Sequence, residues 1–202
     1  MQIFLDPGFA FLAVPKTGST AYEAAMRPFA DIDVTRPPRD RHMTARRFDR
    51  TWRRSVRSQW GVEVETVAVL RDPLERMKSW YRYRSAPERR NTVTGMSFDA
   101  FVTAALQDTP PPAARIGSQD SFVSSKRGRI LVTHLFAVEA PEPLVDFLSG
   151  LIGSAIRPGQ MNVSPAVDVS LSPETEARFR AGRAAEFALY EAVRAAGHLV
   201  TR

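Results

Sequence analysis

Two runs of apolar residues, Phe9-Ala10-Phe11-Leu12-Ala13-Val14 and Thr66-Val67-Ala68-Val69-Leu70, show no polar alternation, and each leads straight into a polar, cationic turn. A strand without a polar face is covered on both sides. The pair therefore calls for a sheet with helices on both faces, and for two charged turns at the ends of buried strands. After the first turn, Pro15-Lys16-Thr17-Gly18-Ser19-Thr20, the residues Tyr22, Met26 and Phe29 recur at helical spacing, which predicts a helix from Ser19 or Thr20. After the second, Arg71-Asp72-Pro73, a helix is expected over residues 74–84.

The rest of the chain fits that scheme. Residues 30–41 read as a polar, proline-containing loop. Phe48, Trp52, Val56 and Trp60 stand four apart and predict an amphipathic helix over 44–60, its stripe packed in the core and its arginines (Arg46, Arg50, Arg53, Arg54, Arg57) outward. Ser97 is the expected N-cap of a helix to Gln107. Ile130–Leu135 is a third strand candidate, followed by a helix over 141–151. Ser172-Pro173-Glu174 supplies a cap, a first-turn proline and an early acid for a last helix that Gly197 ends. Strands alternating with helices point to an α/β fold with a central parallel sheet. A length of 202 residues suits one domain, 1–202. An apolar content of 44% with 25% charged residues excludes a disordered chain. The absence of cysteine excludes disulfides, thiolate metal sites and a cysteine nucleophile, and the three histidines show no metal-ligand spacing, so no metal is expected. The run Phe9–Val14 is too short to span a bilayer and follows Asp6 rather than a basic segment, so a soluble, cytoplasmic protein is expected.

Charge narrows the partner. Residues 27–90 hold sixteen arginines and one lysine against nine acids, an excess of eight, while the remainder is slightly acidic. Such a patch faces phosphate, sulfate or a polyanion, or is a solvated arginine-rich face. A strand that delivers a glycine-containing turn to a helix N-terminus makes an anion site from backbone N–H groups. Lys16, Thr17, Ser19 and Thr20 add a cation and three hydroxyls around Gly18. The lysine of a nucleoside triphosphatase loop follows its last glycine, whereas Lys16 precedes Gly18, which disfavours a P-loop kinase or triphosphatase. A lone glycine also excludes the dinucleotide fingerprint. Two such turns on parallel strands would share the carboxyl edge of one sheet, where ligands bind in open α/β folds.

Pro15-Lys16-Thr17-Gly18-Ser19-Thr20 resembles the 5′-phosphosulfate loop of sulfotransferases that use 3′-phosphoadenosine 5′-phosphosulfate (PAPS), and Arg71-Asp72-Pro73-x-x-Arg76-x-x-Ser79 resembles their 3′-phosphate motif. The closer likeness is to the carbohydrate-type branch and its bacterial relatives, in a P-loop-like three-layer fold. His42-Met43-Thr44-Ala45 is similar to a segment those relatives carry between the motifs. Phe136-Ala137-Val138-Glu139, Asn162-Val163-Ser164 and Phe187-x-x-Tyr190 are similar to C-terminal landmarks of that branch, with Leu135 and Glu186 standing where arginine and aspartate are common.

The resemblance implies sulfuryl transfer from PAPS to an acceptor hydroxyl or amine, with a carbohydrate or anionic glycan as acceptor, no metal and no nucleic acid. Lys16 would neutralise charge on the leaving phosphate. Pro15, Lys16, Thr17, Gly18, Ser19 and Thr20 would hold the 5′-phosphosulfate, and Arg71 with Ser79 the 3′-phosphate. His42 is the first candidate for general base, with Glu139 and Glu23 as alternatives. His134 reads as a core histidine and His198 as solvent-facing. Lys126-Arg127-Gly128 has a superficial likeness to a 3′-phosphate loop of the cytosolic branch. Trp80, Tyr81, Tyr83 and Arg84 are candidates for an adenine or acceptor surface. The competing readings are a non-catalytic PAPS-binding protein on the same fold and a polyanion-binding domain.

Overall fold

The chain is described by a computed structural model over residues 1–89, 91–159 and 167–201. Its strands are β1 (Gln2–Phe4), β2 (Phe9–Leu12), β3 (Ile32–Asp33), β4 (Glu65–Leu70), β5 (His134–Ala137) and β6 (His198–Val200). The helices are α1 (Ser19–Met26), α2 (Pro38–Arg41), α3 (Ala45–Phe48), α4 (Arg54–Trp60), α5 (Pro73–Ser85), α6 (Phe98–Ala105), α7 (Gln119–Val123), α8 (Pro141–Ile152), α9 (Pro173–Gly182) and α10 (Ala184–Ala196).

One sheet joins the strands in the order β3-β1-β2-β4-β5-β6. Its centre is parallel: β2 meets β4 with Leu12 opposite Ala68, and β4 meets β5 with Leu70 opposite Ala137. The missing alternation in β2 and β4 has its cause in the two faces. Phe9, Phe11, Val67, Val69 and Phe136 lie under Tyr22 and Met26 of α1 and Leu144 and Leu148 of α8. Ala10, Leu12, Ala68, Leu70 and Leu135 lie under Phe48, Val56 and, from α10, Tyr190 and Val193. Every position of β2 and β5, and every position of β4 after Glu65, is thus buried, and each large apolar side chain buried there stabilises the fold by about 1.5–3 kcal/mol. A third cluster joins α5, α6, α9 and α10 through Met77, Tyr81, Phe98, Phe101, Phe179 and Phe187.

The three-layer α/β architecture and its parallel centre agree with the sequence reading, but the sheet is mixed. β1 pairs antiparallel to both β2 and β3, and β6 pairs antiparallel to β5. These three outer strands have two or three residues each, too few for a periodicity to show. The expected loop 30–41 therefore contains β3 and the single turn α2. The third strand starts at His134 rather than Ile130, because residues 124–130 fold back as a hairpin in which Ser124 bridges Ile130 and Ser125 N–H donates to Arg129 O. The helix over 44–60 forms with Thr44 as N-cap, but residues Asp49–Arg53 widen into a π-helical turn. That turn rotates the stripe: Phe48 and Val56 are buried, whereas Trp60 is 47% exposed. The last helix is two, broken at Arg183, with Ser172 capping the first and Gly197 following the second.

Candidate anion-binding site

The first turn leaves β2 at Leu12, where Val14 N–H donates to Leu12 O and ends the pairing. Lys16 and Gly18 both take positive φ, 69° and 73°. This left-handed backbone suits glycine and is costly for lysine, so the turn is held by its surroundings. Two of the holders are its own hydroxyls: Thr17 Oγ1 and Ser19 Oγ donate inward to Val14 O at 2.9 and 3.3 Å. Their role in this arrangement is to brace the turn. Gly18 is the N-cap of α1 with no side-chain cap, and the first turn of α1 carries no acid, which leaves backbone N–H groups to face an anion.

The second turn leaves β4 at Leu70. Asp72 caps α5 by accepting from Leu74 N–H and Glu75 N–H, both at 2.9 Å. Arg71 and Ser79 are half-buried, and Arg71 forms no ion pair with a described residue. The two turns are joined by Arg76. Its Nε donates to Pro15 O at 3.0 Å, and its other nitrogens reach Gly117 O at 3.0 Å and Glu186 Oε1 at 3.3 Å. Burial pulls the Arg76 guanidinium down to about 10, opposed by the Glu186 carboxylate.

Lys16 belongs to both turns. Burial, and then the positive charges of Arg89, Arg71 and Arg84, bring its ammonium down from 10.5 to about 8. Its Nζ sits 3.4 Å from the ring centre of Tyr83 and 5.3 Å from that of Trp80. These two aromatics thus hold the lysine, while Tyr81 belongs to the core, its hydroxyl donating to Met96 O.

His42 follows α2, and its Nδ1 lies 2.8 Å from Ala13 O. A carbonyl only accepts, so Nδ1 carries the proton and Nε2 keeps its lone pair. Burial holds the ring below its ordinary 6.5. The alternative carboxylates are committed elsewhere. Glu139 Oε1 accepts Asp72 N–H at 3.0 Å, and burial, with the nearby Glu139 carboxylate, pushes the Tyr190 hydroxyl up. Glu23 is buried against Arg41.

Several expectations fall elsewhere. His134 is a core histidine, as expected, with Nε2 on Glu65 and Nδ1 on His198, each at 2.9 Å. His198 is not solvent-facing: it sits in β6 and stacks on Phe136 with ring centres 4.3 Å apart, because the chain adds an edge strand after Gly197. The Glu65–His134 pair marks the amino ends of β4 and β5, the edge opposite Arg71. Lys126-Arg127-Gly128 is an exposed hairpin tip. Of the helix 44–60 arginines, Arg53 pairs with Asp49 and Arg57 with Glu63. Asn162-Val163-Ser164 and Arg90 lie outside the described residues. Among those described, no group of three or more histidines or acids could hold a metal, and no helix is long and apolar enough to cross a membrane.

Two residues at the site, Arg41 and Gln119, have no reading in the sequence, and a third, Glu186, has one only as a departure from a C-terminal landmark. Arg41 donates to Thr20 Oγ1 at 2.9 Å and to Glu23 Oε2, so it ties the start of α1 to the segment bearing His42; its place beside His42 was the available signal. Gln119 bonds the Arg71 peptide, and Glu186 anchors Arg76. Gln119 carries no local pattern.

Compared with known proteins, residues 3–122 match the family model described as "Sulfotransferase family", which is more than half of the chain and includes both turns, His42 and Gln119. No curated protein and no solved structure matches.

Proposed function

The chain belongs to the sulfotransferase family, and on that premise we propose that it transfers a sulfuryl group from PAPS to a hydroxyl, or an amine, of a carbohydrate acceptor. The observation that carries this reading is the junction of the two turns through Arg76 and Pro15. It ties the Lys16–Gly18 turn to the helix that follows Arg71, at one edge of the sheet, which supports a ligand with two anionic ends. The donor would supply an activated sulfuryl group with a good phosphate leaving group.

The chain's residues would do the rest by positioning and charge stabilisation. Lys16 and the N–H groups of the Gly18 turn would hold the 5′-phosphosulfate, with Pro15, Thr17, Ser19 and Thr20 shaping that turn. Lys16, protonated at neutral pH, would offset negative charge on the departing phosphate. Arg71 and Ser79 would hold the 3′-phosphate. His42 would accept the acceptor's proton at Nε2 as the new S–O bond forms and the bond to phosphate breaks. That lone pair favours an enzyme over a non-catalytic binding protein, which needs no base.

For the acceptor, the exposed Arg89, which lies over the Tyr83 ring at 4.5 Å beside Lys16, supports an anionic glycan; Arg84 is buried and donates to Pro112 O and Ala113 O, so it serves packing instead. The test is a melting-temperature comparison followed by a transfer screen. 3′-Phosphoadenosine 5′-phosphate should raise the melting temperature well above the shift given by 5′-AMP, and labelled PAPS should pass its sulfur to a glycan in a panel of glycans, lipids and small alcohols. Equal shifts remove Arg71 and Ser79 as a 3′-phosphate site. Transfer to another acceptor class alone removes the glycan.

A further inference from the structure

Arg71 sits where the sheet stops. Extending the β2–β4 register by three residues from Leu12 opposite Ala68 would set Pro15 opposite Arg71. Proline has no N–H to offer, and the chain has already turned away at Val14. Leu70 O, which points to the other side, is satisfied by Val138 N–H at 2.9 Å. The Arg71 peptide groups, which alternate with those of Leu70 and so face β2, would have no ladder partner.

Gln119 supplies both. Its Oε1 accepts Arg71 N–H at 2.9 Å and its Nε2 donates to Arg71 O at 2.8 Å, so one side-chain amide takes the place of a strand. Gln119 has no exposed surface. It is itself fixed at the start of α7, where its own N–H donates to Glu186 Oε1 at 2.8 Å, the oxygen that also receives Arg76.

We infer that Gln119 is a positioning residue for donor selection: by clamping the Arg71 peptide it sets the backbone from which the guanidinium meets the 3′-phosphate. The inference rests on the assignment of Arg71 to that phosphate. A clamp of this kind gives selectivity through Arg71 and leaves the 5′ end of the donor to the other turn.

The experiment is calorimetric binding of 3′-phosphoadenosine 5′-phosphate and of 5′-AMP to the full chain and to Gln119→Leu, Gln119→Glu, Arg71→Ala and the Arg71→Ala/Gln119→Leu double variant. Gln119→Leu should lower the preference for the 3′-phosphate by about tenfold, the scale of an unsatisfied buried hydrogen bond, with 5′-AMP binding nearly unchanged. In the Arg71→Ala background the same substitution should add almost nothing, a non-additivity that a merely structural role would not produce. If Gln119→Leu does not fold, Gln119→Glu carries the test, because it keeps the acceptor for Arg71 N–H but turns an acceptor oxygen onto Arg71 O in place of the donor; a loss of preference is expected here too. Equal weakening of both nucleotides, or an undiminished effect without Arg71, overturns the inference. No preference in the unmodified protein instead removes the 3′-phosphate assignment of Arg71, and the clamp's purpose with it.

Discussion

Arg76 Nε donates to the carbonyl oxygen of Pro15 at 3.0 Å across 61 residues of sequence. That bond ties the helix after β4 to the turn after β2, and so joins the two turns proposed to hold the donor. The guanidinium is almost wholly buried, and its charge is balanced by Glu186, from a helix beyond the family-matched segment. The last helix thus braces turns that lie within the family-matched segment.

Glu186→Ala should therefore destabilise the protein by about 3–5 kcal/mol, since it leaves a buried guanidinium without its counter-charge. Urea denaturation measures this. A loss under about 1 kcal/mol, the value of an exposed pair, would show that Arg76 does not depend on Glu186.

Lys16→Ala should lower kcat by about a hundredfold or more, the scale of losing one preorganised charge stabiliser. Because Lys16 makes no buried ion pair, its melting temperature should stay near that of the unmodified protein. Unchanged turnover on a responsive acceptor would end its assignment.

The pH profile of kcat/KM should be bell-shaped. As the proposed base His42 would act unprotonated, and burial holds it below 6.5, so the rate should rise with pH through that lowered value. Lys16, in its proposed role, would act protonated, so the rate should fall as pH rises through about 8. Arg89→Ala removes a repelling charge beside Lys16 and should move the alkaline limb upward. His42→Ala should abolish the acid limb together with most of the rate; a retained acid limb assigns the base elsewhere.

Gly18→Ala should weaken donor binding beyond its effect on stability. The added Cβ at φ +73° lies 3.4 Å from Val138 Cγ2, and the left-handed backbone costs a non-glycine residue about 1–2 kcal/mol. Gly153→Ala, at φ +69° with open space around it after α8, is the control. It should lose similar stability with donor affinity intact. Parallel behaviour of the two variants would show that the Gly18 turn has no special part in binding.

The buried centre of the sheet and the turn-to-helix steps after β2 and β4 could be read from sequence because their causes are local. A strand covered on both faces needs continuous apolar residues, as in Phe9–Val14 and Thr66–Leu70. A turn that opens to an anion needs a glycine such as Gly18 and cations such as Lys16 and Arg71. The caps at Ser97 and Ser172 are likewise local hydrogen bonds to the next turn of chain. What lay beyond sequence were contacts between distant segments. The strands Gln2–Phe4, Ile32–Asp33 and His198–Val200 are too short to carry a period, and they exist because a sheet edge was there to receive them. His198 changes from an expected surface residue to a ring stacked on Phe136 for that reason. Arg76 and Glu186 meet across 110 residues, and Gln119 reaches Arg71 across 48. Sequence alone determined which groups are chemically able to hold two anions. Only the tertiary structure decided how they are held apart and braced, because a buried charge and an unpaired peptide must find partners wherever the fold brings them.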